Sequence, residues 1–150
     1  MMLTYTRTGS HNNDFISLVS FLDADLAIRD GEDHPFYDQF NKLDDINHVL
    51  VAYEGDDAVA CGAMKPLSGE AMEIKRMYTL PGYRGQGIAA TLLSHLEKWA
   101  ASLGYKKCLL ETGIRQPEAI ALYEKMKYKR ISNYDQYAGI DTSVCFGKEI

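Results

Sequence analysis

The stretch Pro81-Gly82-Tyr83-Arg84-Gly85-Gln86-Gly87-Ile88-Ala89 has residue types and spacing suited to holding an anion. It lies between a run that reads as a strand, ending at Leu80, and one that reads as a helix, opening near Ile88. A glycine-rich strand-to-helix turn lets several backbone N–H groups converge on one point, where the helix dipole adds partial positive charge. Such a nest suits a pyrophosphate. Gly85 and Gly87 carry no side chain to block close approach, and Arg84 adds a full charge. A tight turn without a ligand would use the same two glycines, so the loop alone leaves both accounts standing.

Gly85-x-Gly87-x-x-Ala90, with Glu111 at the end of the following strand, imitates a dinucleotide-binding fingerprint and its distal acid. Three features count against NAD. The preceding strand carries Glu73, Lys75 and Arg76, whereas the central strand of a doubly wound sheet is apolar on both faces. Residues Pro81 to Arg84 separate that strand from the first glycine, so the turn is not tight. No further β-α repeats follow to complete a nucleotide-binding half.

The elements that must position this loop are legible from periodicity. The chain has 150 residues, 46% of them hydrophobic and 25% charged, which is ordinary for one soluble globular domain, 1–150. Leu3, Tyr5 and Arg7 alternate with threonines as a first strand. Phe15, Leu18, Val19, Leu22 and Leu26 predict a helix over 10–29, stopped by Gly31. Strands follow over 48–53 and 58–64, joined at Glu54-Gly55-Asp56-Asp57, and another over 71–80. Ile88, Leu92, Leu93, Leu96, Trp99, Ala100 and Leu103 form a helical stripe that reads as core packing. A strand over 107–112, a helix from Pro117 to about Met126, and strands over 128–133 and 142–148 complete the order. The pattern predicts an α/β (α+β) fold, a mixed sheet with helices on both faces.

The loop and its neighbours resemble the GNAT superfamily of N-acetyltransferases. Arg84-x-x-Gly87-x-Ala89 is similar to that family's acyl-CoA pyrophosphate loop, and Ala119-Ile120-x-Leu122-Tyr123 to its second cofactor helix. With the strand Met72–Thr79 before the loop and the helix Ile88–Leu103 after it, these motifs cover roughly residues 71–130. The resemblance implies a mostly antiparallel sheet of six to seven strands around a central β-α-β acyl-CoA-binding core, and acetyl-CoA as cosubstrate. It implies main-chain contacts from Met77, Tyr78 and Thr79 to the pantetheine arm, and amides of Arg84, Gly85, Gln86, Gly87, Ile88 and Ala89 on the pyrophosphate. Two departures stand out. Gln116 replaces an asparagine that often reaches the pantetheine, and Lys127 replaces a glycine that often follows the helix. A lysine there implies that no left-handed glycine is needed at that point.

Acetyl transfer to an amine requires a thioester held beside a neutral nucleophile, and a proton for the departing thiolate. Deprotonating a lysine-like amine of pKa ~10.4 at pH 7 costs about 4.6 kcal/mol, part of which a general base offsets. By resemblance, Tyr123 protonates the sulfur and Glu73 is the base, directly or through water; no cysteine falls in a motif position, so attack is direct, in a ternary complex. The plainer accounts are a core tyrosine for Tyr123 and a solvated strand face for Glu73. A catalytically silent acyl-CoA-binding module is the alternative from a different class, and an NAD-binding protein a third.

The acceptor is expected to be a primary amine of a small molecule or peptide. His34, Phe36 and Tyr37 lie in a polar-aromatic connection that suits an acceptor site, and Tyr134 and Tyr137 are comparable. The net charge of −5 argues against nucleic acid as a partner, and no apolar run is long enough for a membrane span. The N-terminal residues do not read as a signal peptide. Cys61, Cys108 and Cys145 read as buried thiols in a reducing cytoplasm, and the histidines lack the spacing of a metal site. Family members are often dimers, which makes a homodimer an expectation.

Overall fold

The computed structural model describes residues 2–33 and 45–150. The expected acceptor residues His34, Phe36 and Tyr37, and a helical turn after Pro35, lie outside the described residues. The strands are β1 (Thr4–Thr8), β2 (His48–Glu54), β3 (Asp57–Pro66), β4 (Ala71–Thr79), β5 (Lys107–Gly113), β6 (Lys129–Ile131) and β7 (Ser143–Glu149). The helices are α1 (Asn13–Asp30), α2 (Ile88–Ser102) and α3 (Pro117–Lys125). The strands make one seven-stranded sheet in the order β1-β2-β3-β4-β5-β7-β6, mostly antiparallel with a parallel β4–β5 junction. By its contacts the chain gathers into two compact units, Met1–Lys65 with Ile74–Leu96, and Pro66–Glu73 with Glu97–Ile150.

In the first unit, β1 pairs with β2 from Thr4↔Tyr53 to Thr8↔Val49, and β2 returns into β3 through a turn at Gly55, whose φ is 60°. α1 starts three residues later than periodicity suggests because Asn12 caps it, its side chain accepting from the Phe15 N–H at 3.0 Å. Gly31, with φ 55°, ends the helix. Phe15, Leu18 and Val19 pack with Ile46, Val49, Val51, Cys61 and Ala63 into a closed apolar cluster. β4 does not keep the regular alternation that its sequence suggests. Arg76 takes φ 59°, which kinks the strand and costs roughly 1–2 kcal/mol for an L-residue. Arg76, on the same strand face as the buried Met72 and Ile74, is itself buried, 6% exposed, instead of lining a solvated face.

In the second unit, β5 pairs with β7 along its whole length, from Lys107↔Glu149 to Gly113↔Ser143. The first three residues of β4 run parallel to β5, from Ala71↔Lys107 to Glu73↔Leu109. β6 is only three residues long, against six expected, because the chain turns early. The Asn133 side-chain amide donates to the carbonyls of Ile140 (2.9 Å) and Ser143 (3.0 Å), replacing ladder bonds. α3 ends in a Schellman motif: the Lys127 N–H donates to the Glu124 carbonyl at 3.1 Å and the Tyr128 N–H to the Tyr123 carbonyl at 2.9 Å. Lys127 has φ 74°, so the expectation that its identity implied an ordinary backbone is corrected. The left-handed geometry is kept, and a lysine occupies it.

All three cysteines are buried. Burial pushes the Cys61 and Cys108 thiols up to about 12, and that of Cys145 upward as well. Among the described residues, no helix is long and apolar enough to cross a membrane.

Candidate active site

In the first unit the Gly-rich loop turns through Gly85 (φ 77°) and Gly87 (φ 79°), both in the left-handed region that favours glycine. A Cβ at either position would meet no atom within 4 Å, so backbone shape and not crowding selects glycine. Gly87 caps α2: its carbonyl accepts from the Thr91 N–H at 3.1 Å and from the Thr91 hydroxyl at 3.0 Å. The amides of Ile88 and Ala89 then fall in the first turn, where no intrahelical acceptor exists. Together with the dipole of this 15-residue helix they present positive potential at an exposed turn. That arrangement fits a pyrophosphate.

Arg84 is exposed, and its Nε donates to the Thr79 carbonyl at 2.8 Å while its guanidinium lies 5.5 Å from the centre of the Tyr78 ring. The contact fastens the loop to the end of β4. It also occupies one of the main-chain groups expected to meet pantetheine. Met77 turns its side chain inward over Gly62, where an added Cβ would come within 2.5 Å of its sulfur. Its side chain is therefore committed to packing.

The second unit brings together carboxylates and phenols. Glu73 is 3% exposed and accepts a hydrogen bond from the Tyr134 hydroxyl at 2.7 Å. The solvated-face account of Glu73 is therefore excluded. Tyr123, on α3, is 7% exposed, its ring 5.9 Å from that of Tyr128 and 6.2 Å from that of Phe146. Burial, with the charge of Glu111 second, raises its pKa well above the ordinary phenol value. Tyr123 is thus a protonated donor throughout the neutral range. Tyr128 donates to Glu97 at 2.8 Å, and Lys148 pairs with the same carboxylate at 2.9 Å. These contacts lock the ring against which Tyr123 packs. Gln116 stands at the N-cap of α3, its carbonyl accepting from Ala119 and Ile120 at 3.1 Å, with no capping bond from its side chain.

Spacing alone did not single out the Tyr134–Glu73 bond, which joins residues 61 apart, nor the burial of Arg76. The only sequence signal for the first was an aromatic pair, Tyr134 and Tyr137, in a loop between strands. The dinucleotide reading fails on topology: β5 pairs antiparallel with β7, where a nucleotide-binding half needs a further parallel strand. Among the described residues, no three His, Cys, Asp or Glu side chains are grouped to hold a metal ion.

Comparison with known proteins agrees with this geometry. Residues 16–128 match the profile of the "Acetyltransferase (GNAT) family". The uncharacterized N-acetyltransferase YjgM of Escherichia coli is 40% identical over 85 residues, 55% of this chain and 50% of that protein. The matched region therefore spans about half the length of that relative. A Klebsiella pneumoniae protein, assigned in name only to the acyl-CoA N-acyltransferases, superposes with a TM-score of 0.83 at 31% identity, over 99% of this chain and 97% of the other. A GNAT family acetyltransferase from Elizabethkingia anophelis, solved with acetyl-CoA bound, shares the fold with a TM-score of 0.71 at 17% identity, over 99% and 98% of the two chains. The strand order and the loop that opens α2 thus define the acyltransferase fold class. Within that class, the chain belongs to the GNAT acetyltransferase family.

Proposed function

We propose that the protein transfers the acetyl group of acetyl-CoA to a primary amine by direct attack in a ternary complex. The observation that carries this reading is the left-handed Gly85/Gly87 turn at the N-terminus of α2, within a chain of this family. In the proposed mechanism the amides of Arg84 through Ala89, Gln86 included, hold the pyrophosphate. Main-chain groups of Met77 and Tyr78, with the N–H of Thr79, pair with the pantetheine arm. The Gln116 side chain, free of capping duty, supplies the contact otherwise made by asparagine.

Glu73 takes the amine proton, directly or through water, and the Tyr134 hydroxyl holds its carboxylate in place. The freed amine forms a C–N bond to the thioester carbon, the C–S bond breaks, and Tyr123 gives its proton to the sulfur. Burial keeps the phenol protonated at neutral pH, so the proton is in place for that step. The acetyl-CoA bound in the Elizabethkingia protein supports the cosubstrate.

Thiol release from acetyl-CoA, measured against amino acids, polyamines, aminoglycosides and lysine peptides, tests the reading and sorts the acceptors. Tyr123→Phe is expected to bind acetyl-CoA normally and to turn over ~10² or more slower, a usual general-acid contribution. Binding without release in any pool, in the unsubstituted protein, would instead mark a silent acyl-CoA module. Full activity of Tyr123→Phe removes that residue from the mechanism.

A further inference from the structure

Arg76, at the kink of β4, has a side chain only 2% exposed. Its Nη1 donates to Asp23 of α1 at 2.9 Å. Its other two nitrogens, Nε and Nη2, are buried without a hydrogen-bond partner. A buried donor with no acceptor is strongly disfavoured, and two on one charged group are unusual in a folded chain. The same residue holds a left-handed backbone, φ 59°. Backbone strain and unsatisfied polar groups concentrate where a protein receives a ligand.

The two idle nitrogens define which ligand. Nε–H and Nη2–H lie side by side on one edge of the planar guanidinium. That edge accepts both oxygens of a carboxylate in two parallel hydrogen bonds, a geometry that lysine does not offer. Asp23 engages a different nitrogen, and its side chain is 39% exposed, so water screens its repulsion of a second carboxylate. Arg76 immediately precedes Met77–Thr79, the stretch proposed to carry the pantetheine arm.

We propose that the Nε/Nη2 edge of Arg76 binds the carboxylate of the acceptor, so that the substrates are amines bearing a carboxylate, with α-amino acids the simplest case. The inference rests on the acetyltransferase reading above and adds the acceptor class to it. Both nitrogens are shut away from bulk water, so a carboxylate seated on them is desolvated and its hydrogen bonds strengthen. Access requires the side chains over this edge to part, and the carboxylate drives that opening by its preference for the open form. An amine without a carboxylate leaves both donors idle and is selected against.

The test compares amino acids with their carboxamides in two readouts. Thiol release from acetyl-CoA gives kcat/KM for each acceptor. Calorimetry with the N-acetyl amino acid and its N-acetyl carboxamide gives binding without turnover. The acid is expected to outperform the amide by about 10- to 150-fold in both, the range that charged hydrogen bonds deliver. Intrinsic reactivity runs the other way, because the carboxamide's amine is the more easily deprotonated. Arg76→Lys keeps the charge but loses the paired donors, and is expected to bring acid and amide within a few-fold while coenzyme A affinity is unchanged. Equal use and equal binding of acid and amide by the unsubstituted protein overturns the inference, whether or not Arg76→Lys folds. An undiminished acid preference in a folded Arg76→Lys overturns it too. Absence of coenzyme A binding and of thiol release with every amine overturns the acetyltransferase reading instead. The calorimetric acid–amide pair then still decides whether Arg76 receives a carboxylate.

Discussion

Replacing Lys127 with glycine is expected to stabilise the protein. Lys127 is exposed, with φ 74°, at the position after α3 where the Schellman hydrogen bonds close. An L-residue in the left-handed region costs roughly 1–2 kcal/mol that glycine does not incur. Glycine returns about 0.4–1 kcal/mol of this through the greater freedom of the unfolded chain. Removing a cation near a helix C-terminus forfeits a few tenths of a kcal/mol more. The balance favours Lys127→Gly by about 0.5 kcal/mol, or ~1–2 °C in Tm for a chain of this size. Lys127→Ala is the reference, because it loses the charge and keeps the strained backbone. Urea and calorimetric melts of the three proteins should place the glycine variant about 0.5–1 kcal/mol above the alanine variant, with alanine at or below wild type. A glycine variant no more stable than the alanine variant would show that the helix does not end in this motif, and would remove the bond that fixes the Tyr123 carbonyl.

Other outcomes follow from the same geometry. Gly87→Ala forces a Cβ onto a backbone at φ 79°, so stability should fall by about 1–2 kcal/mol and acetyl-CoA affinity by roughly tenfold, read by thermal melts and equilibrium binding. Tyr134→Phe leaves the buried Glu73 carboxylate short of a donor and should cost about 1–3 kcal/mol in urea unfolding, with kcat reduced more than KM is raised. The phenols of Tyr123, Tyr128, Tyr134 and Tyr137 are all raised, chiefly by burial. A raised folded pKa means that the native state holds protons which the unfolded chain releases. Their contribution is complete below the unfolded value of about 10 and is lost as pH climbs through the folded values. With the raised thiols of Cys61, Cys108 and Cys145 acting in the same way, Tm should hold up to about pH 8.5 and fall above it, more steeply beyond about pH 10, while phenolate absorbance from these four tyrosines appears only on unfolding. Early phenolate signal from the folded protein would contradict their burial.

What could be read from sequence was local chemistry. The helix stripes, the glycines at 85 and 87 and the turn at Gly55 each follow from neighbouring residues, and each took its expected place within a few residues. The features that escaped depend on partners far along the chain or on a residue in an atypical conformation. Arg76 and Lys127 carry left-handed backbones on side chains that normally avoid them, so residue type misleads there. β6 is short because Asn133 bonds across to Ile140 and Ser143, which no periodicity encodes. The solvated-face account of Glu73 rested on its neighbours Lys75 and Arg76, but β4 is buried on both faces over Ala71–Ile74, which residue types within the strand do not encode. The candidate cofactor loop was legible for the first reason, and the polar surroundings of Glu73 were not for the second.

The depth at which the cysteines are buried has a practical consequence. With thiols held near 12, about one part in 10⁴ of Cys61 or Cys108 is thiolate at pH 8, and neither sulfur is open to a reagent. A disulfide dye used to count released coenzyme A should therefore meet a protein that contributes almost no colour of its own until it unfolds. The blank becomes an integrity check: a rising background in a variant reports lost packing, in the same cuvette and at the same moment as turnover.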